Sequence, residues 1–179
     1  MDLQLVREIT KEVVSRLRKV GLSYFYSSID NTPDHVAIQA FFYKVGRELG
    51  FKVGCEKDKW DVKWVTEREP IRIEVELGSQ RDITKKLQYF FEGLAIFNIL
   101  VVNTYLYIAD GTDYFRTYLL DKSLNHENGF GPLPSPKQTG WLLVIDVFHK
   151  AYELLQIDPA GSKVVESGWL DKEMSNGTE

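Results

Sequence analysis

The stretch WDVKWVTEREPIRIEVEL, residues 60–77, alternates apolar and polar side chains over two short runs. Successive side chains of a β-strand point to opposite faces of the sheet, so this alternation predicts strands at 60–65 and 71–77. The TEREP linker between them is short enough for an antiparallel hairpin. The apolar faces of the two strands coincide when the numbers of paired residues sum to an odd total. Two such registers, in which Asp61 faces either Glu74 or Glu76, bring the same polar residues together on the opposite face: Asp61, Lys63, Glu74 and Glu76.

Two helices and a strand are predicted before this hairpin. Residues 2–20 repeat apolar side chains at helical spacing, and Gly21 is a suitable terminator for that helix. A second helix is predicted to begin at Thr32, a candidate N-cap, and to end at Gly50. The short run FKVGC, residues 51–55, is a strand candidate that would join the hairpin.

Further elements are predicted after the hairpin. An S-x-x-D opening at Ser79 favours a helix from about residue 80 to 97. The runs FNILVV (97–102) and TYLYIAD (104–110) indicate strands, the first buried on both faces. A loop rich in glycine and proline is expected at 125–140, and WLLVIDVFHKAYELLQ, residues 141–156, is expected to form a helix.

The order of these elements predicts one α/β domain over residues 1–179, with a mixed β-sheet flanked by helices. Its core would cover about residues 33–108. The helix at 2–20 and a C-terminal loop and helix at 111–157 would flank that core. The tail after Pro159 lacks a clear pattern and is expected to fray at its end.

Composition points to a cytoplasmic, intracellular protein without a membrane partner. The chain has one cysteine, Cys55, so it cannot form an internal disulfide, and its longest apolar run is too short to cross a bilayer. The N-terminal residues are charged throughout and lack the apolar core of a signal peptide. A net charge of −4 does not by itself favour nucleic-acid binding, although a local basic patch on an acidic protein can still bind phosphate.

The acidic residues of the hairpin have two interpretations. They can be a solvated strand face on which Arg72 and Lys63 serve as ion partners. Alternatively, Asp61, Glu74 and Glu76 can form a metal site, because crowded carboxylates repel one another unless a cation or protons intervene. Oxygen ligands of this kind suit Mg²⁺ or Mn²⁺, and such an ion activates water for phosphodiester hydrolysis.

Asp61, followed by Glu-Val-Glu at 74–76 on the partner strand and then by a predicted helix, resembles the PD-(D/E)XK nuclease superfamily. That superfamily includes restriction enzymes and Holliday-junction resolvases. The resemblance covers roughly residues 33–108, where the family core is a helix, three antiparallel strands, a crossover helix and a further strand. It implies a restriction-endonuclease-like fold and a Mg²⁺- or Mn²⁺-dependent endonuclease that acts on nucleic acid, with DNA favoured.

The same resemblance implies roles for individual residues. Asp61 and Glu74 would be metal ligands, and the carbonyl of Val75 would be a further ligand. Glu76 stands where the family usually has a lysine, and it would orient or deprotonate the attacking water. Lys63 or Lys85 would then supply the missing positive charge.

Four residues are candidates for nucleic-acid contact. Lys57 and Lys59 lie close to Asp61 in the sequence and could face phosphate, or they could be a charged sheet edge that prevents aggregation. Gln80 falls in the first turn of the predicted crossover helix. His35 falls in the first turn of the helix that, in the family, often sends a side chain to the active site; a surface role is its alternative.

Oligomeric state and activity stay open. Many nucleases of this type act as dimers, and the helices predicted at 2–20 and 141–156 are candidate dimer surfaces. The glutamate at the lysine position also supports an alternative, a catalytically inactive nucleic-acid-binding or protein-interaction module on the same fold.

Overall fold

A single mixed β-sheet organises the protein in a computed structural model that describes residues 1–26, 33–57, 60–67, 69–77, 96–103, 139–158 and 161–171. Two α-helices precede the sheet in this part of the chain, with a short 3-10 helix at Leu22–Phe25 between them. The helices are α1 (Leu3–Val20) and α2 (His35–Glu48). The strands are β1 (Lys52–Lys57), β2 (Trp60–Val65), β3 (Pro70–Glu76), β4 (Phe97–Val102), β5 (Gly140–Asp146), β6 (Ala151–Asp158) and β7 (Gly161–Trp169).

The seven strands lie in the sheet in chain order. β1, β2 and β3 are antiparallel, β3, β4 and β5 are parallel, and β5, β6 and β7 are again antiparallel. The prediction of a mixed α/β architecture is therefore confirmed, as is the hairpin formed by β2 and β3.

The helix termini follow local capping chemistry. The Asp2 carboxylate accepts the Leu5 N–H at the start of α1, and Gly21, with a φ of 78°, ends this helix as predicted. The N-cap of α2 is Asp34, whose carboxylate accepts backbone N–H groups in the first turn. The prediction of Thr32 as this cap is wrong, because the helix begins at His35 and the carboxylate of Asp34 caps it.

The main core lies between the two helices and one face of the sheet. Trp64 and Ile73 belong to this face and are fully buried, as the alternation in the hairpin predicts. The Trp64 indole N–H donates to the Phe42 carbonyl of α2 over 3.0 Å, so the buried polar group is satisfied. Gly46 lies directly against the same indole ring, and the absence of a side chain there permits the close approach of α2 to β2.

The opposite face of the sheet is also buried, and it carries polar residues. Leu100 and Val144 are fully buried on it, and β4 is buried on both faces as predicted. Arg72, Glu74 and Glu153 are buried there among these apolar side chains. The interpretation of this face as solvated is therefore wrong for the middle of the sheet.

Residues 141–156 are not a helix. They form most of the β5–β6 hairpin, so the prediction of a C-terminal helix within 111–157 is wrong, and so is its use as a dimer surface. A continuous apolar run buried on both faces has no clear periodicity, and such a strand cannot be distinguished from a buried helix by spacing alone. Residues 161–169, for which the sequence predicted no element, form β7, and the end of the tail that was expected to fray lies outside the described residues.

Several other predictions lie outside the described residues. They are the crossover helix up to residue 95, the strand at 104–110 and the loop at 125–138. The helix was predicted to extend to about residue 97, but Phe97 is the first residue of β4. Within the described part of the chain, no helix is long and apolar enough to cross a membrane.

Candidate metal and substrate site at the sheet edge

The candidate site begins where β2 and β3 separate. Their ladder runs from the Val65–Pro70 pair to the Val62–Ile73 pair, and one further step of this register places Asp61 opposite Glu74. At this point the Val75 N–H donates to Oδ2 of Asp61 over 2.7 Å. The carboxylate of Asp61 is consequently held between the strands, beside the end of β3.

Helix α2 supplies two further side chains to Asp61. Gln39 Nε2 donates to Oδ1 of Asp61 over 3.3 Å, and His35 Nε2 lies 3.6 Å from Oδ2. His35 and Gln39 are four residues apart, so they share one face of the helix. The proximity of His35 to the candidate site agrees with the expectation from the sequence. Gln39 was missed, although its spacing from His35 was the available signal.

The Glu74 side chain lies on the face of the sheet opposite to α2, whereas Asp61 is bonded by side chains of α2. The structure therefore does not bring Asp61 and Glu74 together on one polar face, as the alternation predicts. Nε and Nη2 of Arg72 donate to Oε1 of Glu74 over 2.8 and 2.7 Å, and the two side chains are 2% and 0% exposed. Arg72 is therefore an ion partner of Glu74, as one interpretation of the sequence had it, but in a buried rather than a solvated setting. The signal for this pair is the spacing of two residues, which places both side chains on one strand face.

Trp60 links this ion pair to Lys63. The Lys63 ammonium lies 4.8 Å from the centre of the Trp60 ring, and the Arg72 guanidinium carbon lies 5.3 Å from it. Trp60 itself is buried. Two cations thus flank one aromatic ring, an arrangement that stabilises them by cation–π attraction. Lys63 lies on the Glu74 side of the hairpin.

The ends of the parallel strands β3, β4 and β5, together with the start of β2, form an edge that we call the carboxyl edge. Glu76, at the end of β3, pairs with Val102 of β4, and Val102 pairs with Asp146 of β5. Glu76 is partly exposed. Ligands of open α/β sheets commonly bind outside the carboxyl ends of the strands. Asp61 and Glu76 are therefore at the position where a ligand is expected.

The donor atoms at this edge fit a hard divalent cation in kind. Mg²⁺ is commonly held by one or two carboxylates with water completing its shell, and Asp61, Glu74 and the Val75 carbonyl are oxygen donors of this type. From the described residues, each Asp61 oxygen accepts one hydrogen bond, which leaves capacity on a carboxylate that has about four lone-pair positions. Among the described residues, no three His, Cys, Asp or Glu side chains are grouped to hold a metal by themselves.

The remaining predicted contact residues are not placed. Lys59, Gln80 and Lys85 lie outside the described residues. Lys57 is described through its backbone, which pairs with Trp60 at the end of the β1–β2 hairpin. Their expected roles at the site stay predictions.

Comparison of the chain with protein-family models, with curated proteins and with solved structures finds no match. The class of protein that the geometry defines is a mixed α/β domain with a seven-stranded sheet and a carboxylate-bearing edge.

Proposed function

We propose that the protein is a metal-dependent nuclease of the PD-(D/E)XK type that hydrolyses phosphodiester bonds of DNA. The observation that carries this proposal is the position of Asp61 at the point where β2 and β3 separate. There its carboxylate is held by Val75 of β3 and by Gln39 of α2. A helix, an antiparallel β1–β2–β3 unit and a β4 strand parallel to β3 surround it, which is the arrangement expected of a restriction-endonuclease-like fold.

The chain's own residues have distinct tasks in this proposal. Asp61 and Glu74, with the Val75 carbonyl, would hold Mg²⁺ or Mn²⁺, which when bound supplies an activated water and stabilises developing negative charge. Gln39 and the Val75 N–H fix the orientation of the Asp61 carboxylate by hydrogen bonding. Arg72 fixes Glu74 in the same way through two charge-assisted hydrogen bonds to one oxygen.

Two residues would act on the water and the phosphate. Glu76, partly exposed at the end of β3, would orient the attacking water or accept its proton. His35 lies beside Asp61 at the start of α2 and would contact the phosphate. Lys85 stays a candidate for the positive charge that a lysine at position 76 supplies in the family, and Lys63 is the alternative.

The test is cleavage of single-stranded, duplex and branched DNA in the presence of Mg²⁺ or Mn²⁺. The sharpest variant is Asp61→Asn, because the amide oxygen can still accept the Val75 N–H while the negative charge is lost. We expect this substitution to abolish metal-dependent cleavage and to remove Mn²⁺ binding measured by calorimetry. Glu67→Gln, which removes an exposed carboxylate from the β2–β3 turn, is the matched control and should leave both unchanged.

Metal binding also has a readout that does not depend on activity. A ligand that binds only the folded state at 100 times its dissociation constant stabilises that state by about 2.7 kcal/mol. Mn²⁺ should therefore raise the melting temperature of the parent protein but not that of Asp61→Asn. The proposal fails if no DNA is cut in the presence of either metal and the melting temperature of the parent is unchanged by Mn²⁺.

A second candidate function is an inactive nucleic-acid-binding or protein-interaction module on the same fold. Two observations favour it: a glutamate stands at position 76, and Arg72 is bonded to Glu74. Binding of DNA that is independent of metal and unaffected by Asp61→Asn, without cleavage of any substrate, would support this function instead.

A further inference from the structure

A groove lies between α1 and the last strand of the sheet, β7, outside the candidate metal site. It consists of two adjoining cavities of about 690 and 560 Å³. Its other side includes Tyr152 of β6 and Glu166 of β7. We call this feature the α1–β7 groove. The basic side chains of α1 that line it are Arg7, Lys11, Arg18 and Lys19.

These basic side chains form a stripe along one side of the helix. Arg7 and Lys11 are four residues apart, and Arg18 follows after seven more, so the three side chains share one helical face. From Arg7 to Arg18 the helix rises about 16 Å. A stripe of this length is too long for a single phosphate group, and it suits a ligand that carries several.

The charge of the stripe is not balanced by ion pairs. Arg7, Lys11 and Lys19 are exposed, and they form no ion pair with any residue that the structure describes. On the side of α1 that faces α2, in contrast, Arg16 contacts Glu48 of α2. Like charges four residues apart destabilise a helix. The stripe therefore costs stability unless an anion approaches it.

The helix dipole explains only part of this stripe. Cations in the last turn of a helix are stabilised by its negative end, and Arg18 and Lys19 occupy that turn of α1. The effect is confined to the last turn, and Arg7 and Lys11 lie outside it. The positions of Arg7 and Lys11 consequently need another explanation.

Two carboxylates also line the groove, and each is bonded to a neutral donor. Gln4 Nε2 donates to Oε1 of Glu8 over 3.1 Å, and the Tyr152 hydroxyl donates to Oε1 of Glu166 over 3.0 Å. The four cations that line the groove outnumber these two carboxylates. The groove is thus a local basic patch on a protein whose net charge is −4.

One end of the groove lies at the carboxyl edge. Nε and Nη2 of Arg18 donate to the Trp169 carbonyl over 3.1 and 2.6 Å, and the guanidinium retains N–H groups for a ligand. Trp169 pairs with Ala151 of β6, and the same row of the sheet continues through β5 and β4 to Glu76 of β3. Four strand spacings, roughly 19 Å, therefore separate Trp169 from Glu76.

We propose that the α1–β7 groove binds the phosphate backbone of the nucleic-acid substrate beside the candidate metal site. Arg7, Lys11 and Lys19 contact phosphate oxygens there. This inference rests on the proposed nuclease function and adds a surface that holds the substrate away from the bond that is cut. Contacts of lysine and arginine with phosphates fix the position of a nucleic acid but carry no sequence information, so this binding is independent of sequence.

The surroundings of the stripe favour the backbone of a duplex over a membrane or unpaired bases. A helix that binds a bilayer inserts its apolar face, whereas the apolar face of α1 is buried in the core through residues such as Val13 and Leu17. Single-strand binding uses aromatic rings on which bases stack. Tyr152, the aromatic residue that lines the groove, is only 7% exposed.

The experiment is fluorescence anisotropy at several salt concentrations with a labelled duplex of about 20 base pairs, which is longer than the groove. It is carried out without metal, on full-length protein carrying Asp61→Asn, so that binding is measured independently of cleavage. Each lost phosphate contact reduces the slope of log affinity against log salt concentration by about 0.9, so the double variant Arg7→Gln, Lys11→Gln should reduce it by about 1.8. Its affinity should fall by the same factor for two duplexes of unrelated sequence.

The double variant Lys44→Gln, Arg47→Gln is the matched control. It removes the same two charges from exposed positions of α2 that do not line the groove, so the salt slope should stay unchanged. Both double variants change the net charge equally, and a difference between them therefore reports the position of the charges. Addition of Lys19→Gln to the groove variant should reduce the slope by about 0.9 more. Thermal unfolding of each variant establishes that it is folded.

Three outcomes would overturn the inference or its ligand. The inference fails if the groove and control variants have equal salt slopes, or if the Asp61→Asn parent does not bind the duplex at low salt. Tighter binding of polyglutamate, or of vesicles containing phosphatidylserine, with the same dependence on Arg7 and Lys11 would overturn the assignment to nucleic acid. Tighter binding of a single strand of the same length would overturn the assignment to a duplex.

Cleavage is measured separately, on protein that retains Asp61. A protein that binds the duplex through Arg7 and Lys11 without metal-dependent cleavage would refute only the nuclease proposal. A protein that cuts DNA, and whose duplex binding does not depend on Arg7 and Lys11, would refute only the role of the groove.

Discussion

Replacement of Arg72 by methionine should cost the protein a large part of its stability. Arg72 and Glu74 are 2% and 0% exposed, and Nε and Nη2 of the arginine both lie within hydrogen-bond distance of one carboxylate oxygen. Removal of one partner from a buried ion pair leaves a charge without its counterion and typically costs about 3–5 kcal/mol. Since a domain is usually stable by about 5–15 kcal/mol, Arg72→Met should remain folded but be clearly weakened.

The double variant Arg72→Met, Glu74→Leu should recover most of this loss. Replacement of both members of a buried pair by apolar residues of similar size is often neutral or stabilising. The coupling between the two substitutions, read from a double-mutant cycle, measures the interaction directly. Recovery of stability together with loss of Mn²⁺ binding would show that the pair serves the site rather than the fold.

The assay is urea unfolding followed by tryptophan fluorescence, with the slope of the transition used to confirm two-state behaviour. Lys44→Met is the control, because Lys44 forms an exposed ion pair with Glu48 over 3.8 Å. Such an exposed helical pair contributes about 0.5 kcal/mol or less. If Arg72→Met costs no more than Lys44→Met, or if the double variant recovers nothing, the account of a buried, coupled pair is refuted.

Two other predictions concern the packing of the sheet. Gly46→Ala should destabilise the protein by about 1–3 kcal/mol in the same urea assay, because the alanine Cβ would lie 2.3 Å from the Trp64 indole nitrogen. Unchanged stability would mean that α2 packs less closely against Trp64. Burial, followed by the charge of Glu166, raises the pKa of Tyr152 to about 12. The neutral phenol therefore stabilises the folded state in full below the unfolded pKa of about 10. This contribution to stability is lost as the pH rises through 12. Tyr152→Phe should therefore lose less stability than the parent between about pH 10 and 12, and parallel pH profiles would contradict this assignment.

The hairpin of β2 and β3 was predictable because its signal is local. Strict alternation sets the face of each residue, and a one-residue shift of register would expose the whole apolar set. Val62, Trp64, Ile71 and Ile73 are accordingly all buried in the main core. Helix α1 was equally predictable, since its periodic apolar stripe and terminal Gly21 are both visible in the sequence.

The β5–β6 hairpin was not predictable in the same way. Both strands are buried on both faces, so the sequence shows a long apolar run without the alternation that marks a strand. The turn that separates them contains neither glycine nor proline. Its conformation depends instead on Asp146 and on contacts with Val102 and Tyr26, which are distant in the chain.

By itself, the sequence determined the β2–β3 hairpin, β4, the first helix and the presence of acidic residues near the end of the hairpin, because alternation, helical spacing and capping are local properties of the chain. Tertiary structure alone decided how those acids are held. Asp61 is positioned by a strand separation and by α2, and Glu74 is paired with Arg72 on a face that is buried rather than solvated. The environment of a carboxylate depends on which elements pack around it, and no spacing along a single strand contains that information.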